Sequence, residues 1–303
     1  MKVFHPNRYL FPLPPGHRFP IEKYPLLQSE LIHQGILSLD ELIDAPLATR
    51  EMITLAHTAE YYDAVMEGSL DAKIIRQIGL PWSPELAQRA LATVGGSVCA
   101  ALEALESGVS GNLSGGTHHA LADQGNGYCV FNDLAVVALY LLKHRSTQRL
   151  AIIDLDVHQG NGNAAILGGY PEIFILSMHG EKNYPFRKVP SSLDIGLSDN
   201  TGDLEYLLKL DNALAVVFET KPDLVLYLAG VDPLREDSLG KLSLTLAGIA
   251  ERDRMVLSEC KTQGIPVCLV LGGGYSRPIT HTVRAHLETY KVVKEVFGNN
   301  PAG

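Results

Sequence analysis

Ile152-Ile153-Asp154-Leu155-Asp156-Val157-His158-Gln159-Gly160-Asn161-Gly162 is the stretch on which the reading of this chain turns. A short apolar run of this kind reads as a buried strand, expected over residues 149–156. It carries side chains able to bind a metal at i, i+2 and i+4. On an extended backbone, alternation sends those three to one face. Two carboxylates and an imidazole buried together are costly unless a positive charge lies among them. A divalent cation at the strand's end answers that cost, because Asp and His are common zinc ligands.

Outward from this stretch, further apolar strands are expected at 173–178, 224–229 and 266–271, with a short first strand at 2–5. Helical periods fall at 133–144, 202–219 and 244–263. Ser83 followed by Pro84 opens a helix running to about Glu106, which Gly108 and Gly111 should end. Residues 21–78 read as largely helical, after a Pro-rich loop from Phe11 to Pro20. Strands alternating with helices predict an α/β fold, a single parallel sheet with helices on both faces. Sites in such sheets form at the carboxyl ends of the strands. No repeat or linker divides the chain, so residues 1–303 are expected to form one domain.

With 46% hydrophobic and 19% charged residues, the chain has ample core material. A net charge of −9 without a Lys/Arg cluster speaks against nucleic-acid binding. The cysteines Cys99, Cys129, Cys260 and Cys268 form no CxxC pair and are expected to be reduced and buried. Neither a signal peptide nor a membrane-spanning run is evident, which gives a cytoplasmic expectation.

Four segments place reactive side chains where a strand should meet its loop: Ser114-Gly115-Gly116-Thr117-His118-His119, the Asp154/Asp156/His158 stretch, Leu228-Ala229-Gly230-Val231-Asp232-Pro233, and Leu271-Gly272-Gly273-Gly274-Tyr275. Together they hold the parts of metal-assisted amide hydrolysis. Two aspartates and a histidine can hold a cation with positions left open. A neighbouring histidine can take a proton from water, and a phenol can donate to a developing oxyanion.

These motifs, with Gly127-Tyr128-Cys129 and Asn132-Asp133, occur in the order found in the zinc-dependent histone deacetylase superfamily, which the chain resembles from Leu80 to Tyr275. The run His158-Gln159-Gly160-Asn161-Gly162, with Asp232-Pro233-Leu234, looks like its class IV branch and bacterial relatives. The resemblance implies an arginase/deacetylase-like fold and Asp156, His158 and Asp232 as zinc ligands, a set that also suits ferrous iron. It implies His119 as general base, His118 as its charged neighbour, Tyr275 as the carbonyl-polarising phenol, and Asp154 as the carboxylate orienting a histidine. Asn161 stands where class I members carry aspartate, which should lower the basicity of His119. Gly127, Tyr128 and Gly273 would meet the substrate, and Arg18 could reach an acetate exit path, as an arginine does in some relatives. A structural K⁺ or Na⁺ is implied at the carbonyls of Asp154, Asp156 and His158 with Ser177. The implied substrate is an acyl-lysine, with acetyl or a longer fatty acyl group, in a peptide or protein.

Other readings fit less well. An acetylpolyamine amidohydrolase shares the chemistry, but no inserted segment suggests a narrowed entrance. Gly160-x-Gly162-x-x-Ala165 fits a dinucleotide fingerprint, yet its strand would set Asp156 against a pyrophosphate. A two-metal ureohydrolase would need an acid where Gly160 stands. A silent acyl-lysine or partner-binding module would typically have lost a ligand or the base, and none is missing here.

Overall fold

The computed structural model describes residues 1–298, so the expected domain of 1–303 includes five that lie outside the described residues. Its frame is a sheet of eight strands: β1 (Val3–His5), β2 (Leu42–Asp44), β3 (Val109–Asn112), β4 (Leu150–Asp154), β5 (Ile173–Gly180), β6 (Leu193–Leu197), β7 (Leu224–Leu228) and β8 (Val267–Val270). The spatial order is β2-β1-β3-β8-β7-β4-β5-β6, and every pairing is parallel. All strands therefore end on the same side. The helices are α1 (Lys23–His33), α2 (Arg50–Ile53), α3 (Ala59–Glu67), α4 (Ala72–Ile78), α5 (Pro84–Ser107), α6 (Asp133–Lys143), α7 (Asn161–Leu167), α8 (Asp203–Glu219), α9 (Leu246–Gln263) and α10 (Thr280–Phe297).

A parallel sheet covered on both faces needs strands that are apolar at every position. In β4, Leu150 and Ile152 enter the core on the α5 and α6 side, while Ala151 and Ile153 enter the core formed with α8 and α9. Ile152 and Ile153 are wholly buried, each contributing about 1.5–3 kcal/mol. The helix ends follow their local signals. Ser83 Oγ accepts from Leu86 N at 3.1 Å with Pro84 behind it, and Gly108 closes α5 in the left-handed region at φ 85°.

The sequence expectations differ from this frame at several points. Segment 21–78 is four short helices around β2 rather than one helical region. Gly111 lies in β3, which the sequence reading did not expect. Its Ser and Asn residues disguise it; Asn112 is nevertheless buried, donating from Nδ2 to Thr93 O at 2.9 Å and Ser97 Oγ at 3.0 Å. β6 and α10 are likewise additions. All four cysteines are free, Cys99 partly exposed and the others buried. Among the described residues, no helix is long and apolar enough to cross a membrane.

Candidate active site

The four reactive segments follow β3, β8, β7 and β4, which are consecutive neighbours in the sheet. Side chains 156 residues apart in sequence, from His119 to Tyr275, thereby meet at one edge.

β4 stops at Asp154, two residues earlier than the sequence suggested, so Asp156 and His158 lie in the following loop. The loop is shaped by its own carboxylates, because short Asp side chains readily bond backbone two residues on. Asp154 Oδ1 accepts from Asp156 N at 3.2 Å, and Asp156 Oδ1 accepts from His158 N at 2.9 Å. The three side chains consequently do not share one face as an extended strand would make them. Asp154 Oδ2 instead accepts from His118 Nδ1 at 2.7 Å. Asp156 and His158 meet Asp232, with His158 Nδ1 3.0 Å from Asp156 Oδ1 and 3.0 Å from Asp232 Oδ2. Backbone amides fix both carboxylates: Gly273 N donates to Asp156 Oδ2 at 2.7 Å, and Val157 N to Asp232 Oδ1 at 2.8 Å. A side chain at Gly273 would meet Asp232 Oδ2, so glycine is required there to let the loop close on the carboxylates.

One donor atom from each of Asp156, His158 and Asp232 lies within 4.8 Å of the others, and all three residues are buried. Burial and the neighbouring Asp156 charge push the Asp232 carboxyl up to about 7. Burial alone would lower His158, yet the two aspartates raise it to about 10. Negative charge stays in excess over positive in this cluster, and a divalent cation among its oxygen and nitrogen donors relieves the like-charge crowding. The donor set fits a metal.

The adjacent histidines are pushed in opposite directions. Burial disfavours the His118 cation, but Asp154 and Asp156 outweigh it and raise the group to about 9. His119 is held well below its ordinary value by burial and by the charges of His118 and His158. Its Nδ1 donates to Asn161 Oδ1 at 2.7 Å, which leaves Nε2 bare. The ring pair is close, with centroids 4.2 Å apart. Tyr275 is held by its backbone: its N donates to Asp237 Oδ2 at 2.6 Å, and its carbonyl accepts from Ser238 Oγ at 2.5 Å. Burial and the charges of Asp156 and Asp232 push its phenol well up, so it remains a donor.

Gly127 and Tyr128 both adopt positive φ, at 53° and 66°, and their amides donate to the last carbonyls of α4, Gln77 O and Ile78 O. This turn sets the Tyr128 ring 5.9 Å from that of Tyr275. Tyr184, which sequence reasoning did not assign, stands edge-on to His119 at 4.9 Å and faces Gly127 as the opposite wall. Arg18 belongs to the outer mouth with Lys182 and Lys241 rather than to the space behind the site. Ser177 Oγ lies 3.0 Å from His179 Nδ1, on the strand beside Asp154.

Two buried cations beside the site also escaped the sequence reading, since isolated basic residues on helices look solvent-facing. Lys23 is 1% exposed, donates to Gly272 O at 3.1 Å, and its ammonium lies 5.4 Å from the Tyr275 ring centre. Arg89, 5% exposed, projects from α5 into the cavity behind the site.

The histone deacetylase domain family matches residues 17–290. A protein of Picosynechococcus sp. described as uncharacterized is 42% identical over 296 residues, covering 97% of this chain and 98% of that one. Histone deacetylase 2 of Arabidopsis thaliana is 31% identical, covering 90% and 73%. The crystal structure of an HDAC homolog complexed with SAHA superposes with a TM-score of 0.81 at 26% identity, covering 99% of this chain and 84% of that one. The chain belongs to the histone deacetylase family. It is a hydrolase acting on amide bonds, with the fold of this deacetylase family and a buried cluster that fits a metal.

Proposed function

We propose that the enzyme releases the acyl group from the Nε of acylated lysine in peptides or proteins, with zinc or ferrous iron held by Asp156, His158 and Asp232. The observation that carries this reading is the meeting of that cluster with a neutral histidine and a phenol at the head of a tunnel walled by Tyr128 and Tyr184. When bound, the metal supplies Lewis acidity to the scissile carbonyl and to water. His119 takes the proton of the attacking water at Nε2, while Asn161 fixes its tautomer through Nδ1. Tyr275 donates its hydroxyl to the oxyanion that forms from the carbonyl. His118, held as a cation by Asp154, keeps positive charge beside His119, and the proton returned from the pair releases the amine. The aromatic walls bury the apolar stem of lysine and exclude water from it. The same proposal includes a monovalent cation at the carbonyls of Asp154, Asp156 and His158 with Ser177.

The test is turnover of metal-loaded protein on acyl-lysine peptides, with acetylputrescine alongside and Asp156→Ala as the blank. Metal-dependent release of acid from a peptide is expected. Turnover confined to acetylputrescine would replace this reading with a polyamine one.

A further inference from the structure

Behind the catalytic tyrosine the cavity continues inward, bounded on one side by His119 and Tyr275 and elsewhere by Phe11, Leu80, Leu86 and Arg89. Its volume is about 70 Å³. A cavity of about 150 Å³ accommodates benzene, so one of this size suits a short acyl chain.

Arg89 makes this cavity unusual. No carboxylate lies within ion-pair distance of its guanidinium among the described residues. Its partners are neutral: Nη1 donates to Pro6 O at 3.0 Å, Nη2 reaches Ser114 Oγ at 3.4 Å, and the Tyr24 ring centre lies 4.5 Å from Cζ. Ser114 Oγ is itself 3.1 Å from Thr93 Oγ1, so two hydroxyls stand beside the cation. The ammonium of Lys23 lies 5.2 Å from the same Tyr24 ring, which adds positive charge nearby. A guanidinium is built for two parallel hydrogen bonds to a carboxylate, and burial without an anion is costly. The contrast with Arg252 is direct, since that equally buried arginine has Asp253 at 2.7 Å.

We propose that Arg89 receives a carboxylate at the inner end of the acyl cavity, so that the acyl groups removed include short ones ending in a carboxylate, of the succinyl and glutaryl kind. This rests on the deacylase reading and narrows its substrate class. The reaction is the same hydrolysis: water adds hydroxide to the amide carbon, the C–N bond breaks, the amine takes the proton, and a dicarboxylate leaves. The apolar walls take the methylenes, and Arg89 with the Ser114 and Thr93 hydroxyls takes the distal carboxylate.

The experiment compares glutaryl-, butyryl- and myristoyl-lysine peptides on metal-loaded wild type, Arg89→Met and Arg89→Lys. Glutaryl should exceed butyryl in kcat/KM by at least about tenfold. Arg89→Met should bring that ratio to about one, and Arg89→Lys should keep part of it. The ratio is read within each variant, so a partly unfolded preparation does not alter it. Equal glutaryl and butyryl rates in active wild type would overturn the proposal and leave the deacylase reading intact. Inhibition by free glutarate and acetate that depends on Arg89, without any acyl preference, would show that the arginine meets only the released acid, and would also overturn it. If no peptide is turned over, calorimetric binding of the glutaryl and butyryl peptides decides: tighter glutaryl binding lost in Arg89→Met supports the carboxylate site, and equal binding sinks it.

Discussion

Two of the molecule's clusters of buried charge are built on different balances. One joins Arg252 and Asp253 of α9 with Tyr227 of β7. Arg252 Nε donates to Asp253 Oδ1 at 2.8 Å, its Nη1 donates to Gly230 O at 2.6 Å, and Tyr227 Oη donates to Asp253 Oδ1 at 2.5 Å. Its charges cancel, and both ionic residues are fully buried. The other gathers Asp154, Asp156 and Asp232 around His118 and His158, and negative charge stays in excess. It opens on a cavity, whereas the first is sealed between a helix and the sheet. A buried cluster that neutralises itself holds the fold; one that does not is prepared for something from outside.

Substitutions can break this contrast. Asp232→Ala should lose the metal and all turnover, read by elemental analysis and by the acyl-lysine assay, while the protein stays folded. Retained metal with full activity would place the ligand elsewhere. Arg252→Met should do the reverse: leaving Asp253 buried without its partner costs about 3–5 kcal/mol of stability in denaturant titration, with the metal content of the folded fraction unchanged. Tyr275→Phe should chiefly lower kcat, by about 10²–10³-fold, with metal binding intact. Asn161→Ala should reduce activity by about 10–100-fold through the orientation of His119, with the metal retained. If Asn161→Ala lost metal as readily as activity, the amide would be acting on the ligand cluster rather than on the base.

The site was more legible in the sequence than the frame that carries it. Asp156, His158 and Asp232 stand in short motifs whose residue types are rarely found on apolar strand ends, and they come together as their chemistry suggested. The reason first offered for their meeting was wrong in detail. Alternation along a strand would have grouped Asp154 with them, whereas the chain leaves β4 at Asp154 and the carboxylates themselves bend the loop. β3 was hidden because Ser110, Gly111 and Asn112 are poor strand formers, and the Asn112 amide finds its acceptors, Thr93 O and Ser97 Oγ, only once the preceding helix α5 has packed against the strand. Tyr184, Lys23 and Arg89 share that limitation. Each is one residue with no motif around it, and each acquires its meaning from partners that only the folded chain supplies.

Lys23 binds the carbonyl of Gly272 across 249 positions of sequence. On the ribosome this contact cannot form until the last strand and its glycine loop have left the exit tunnel, when the first helix has long since been made. The phenol that the loop presents is thus among the final parts to be seated. A nascent chain carries no completed site until the Gly272 loop has emerged, and the first turnover reports that these two distant segments have found each other.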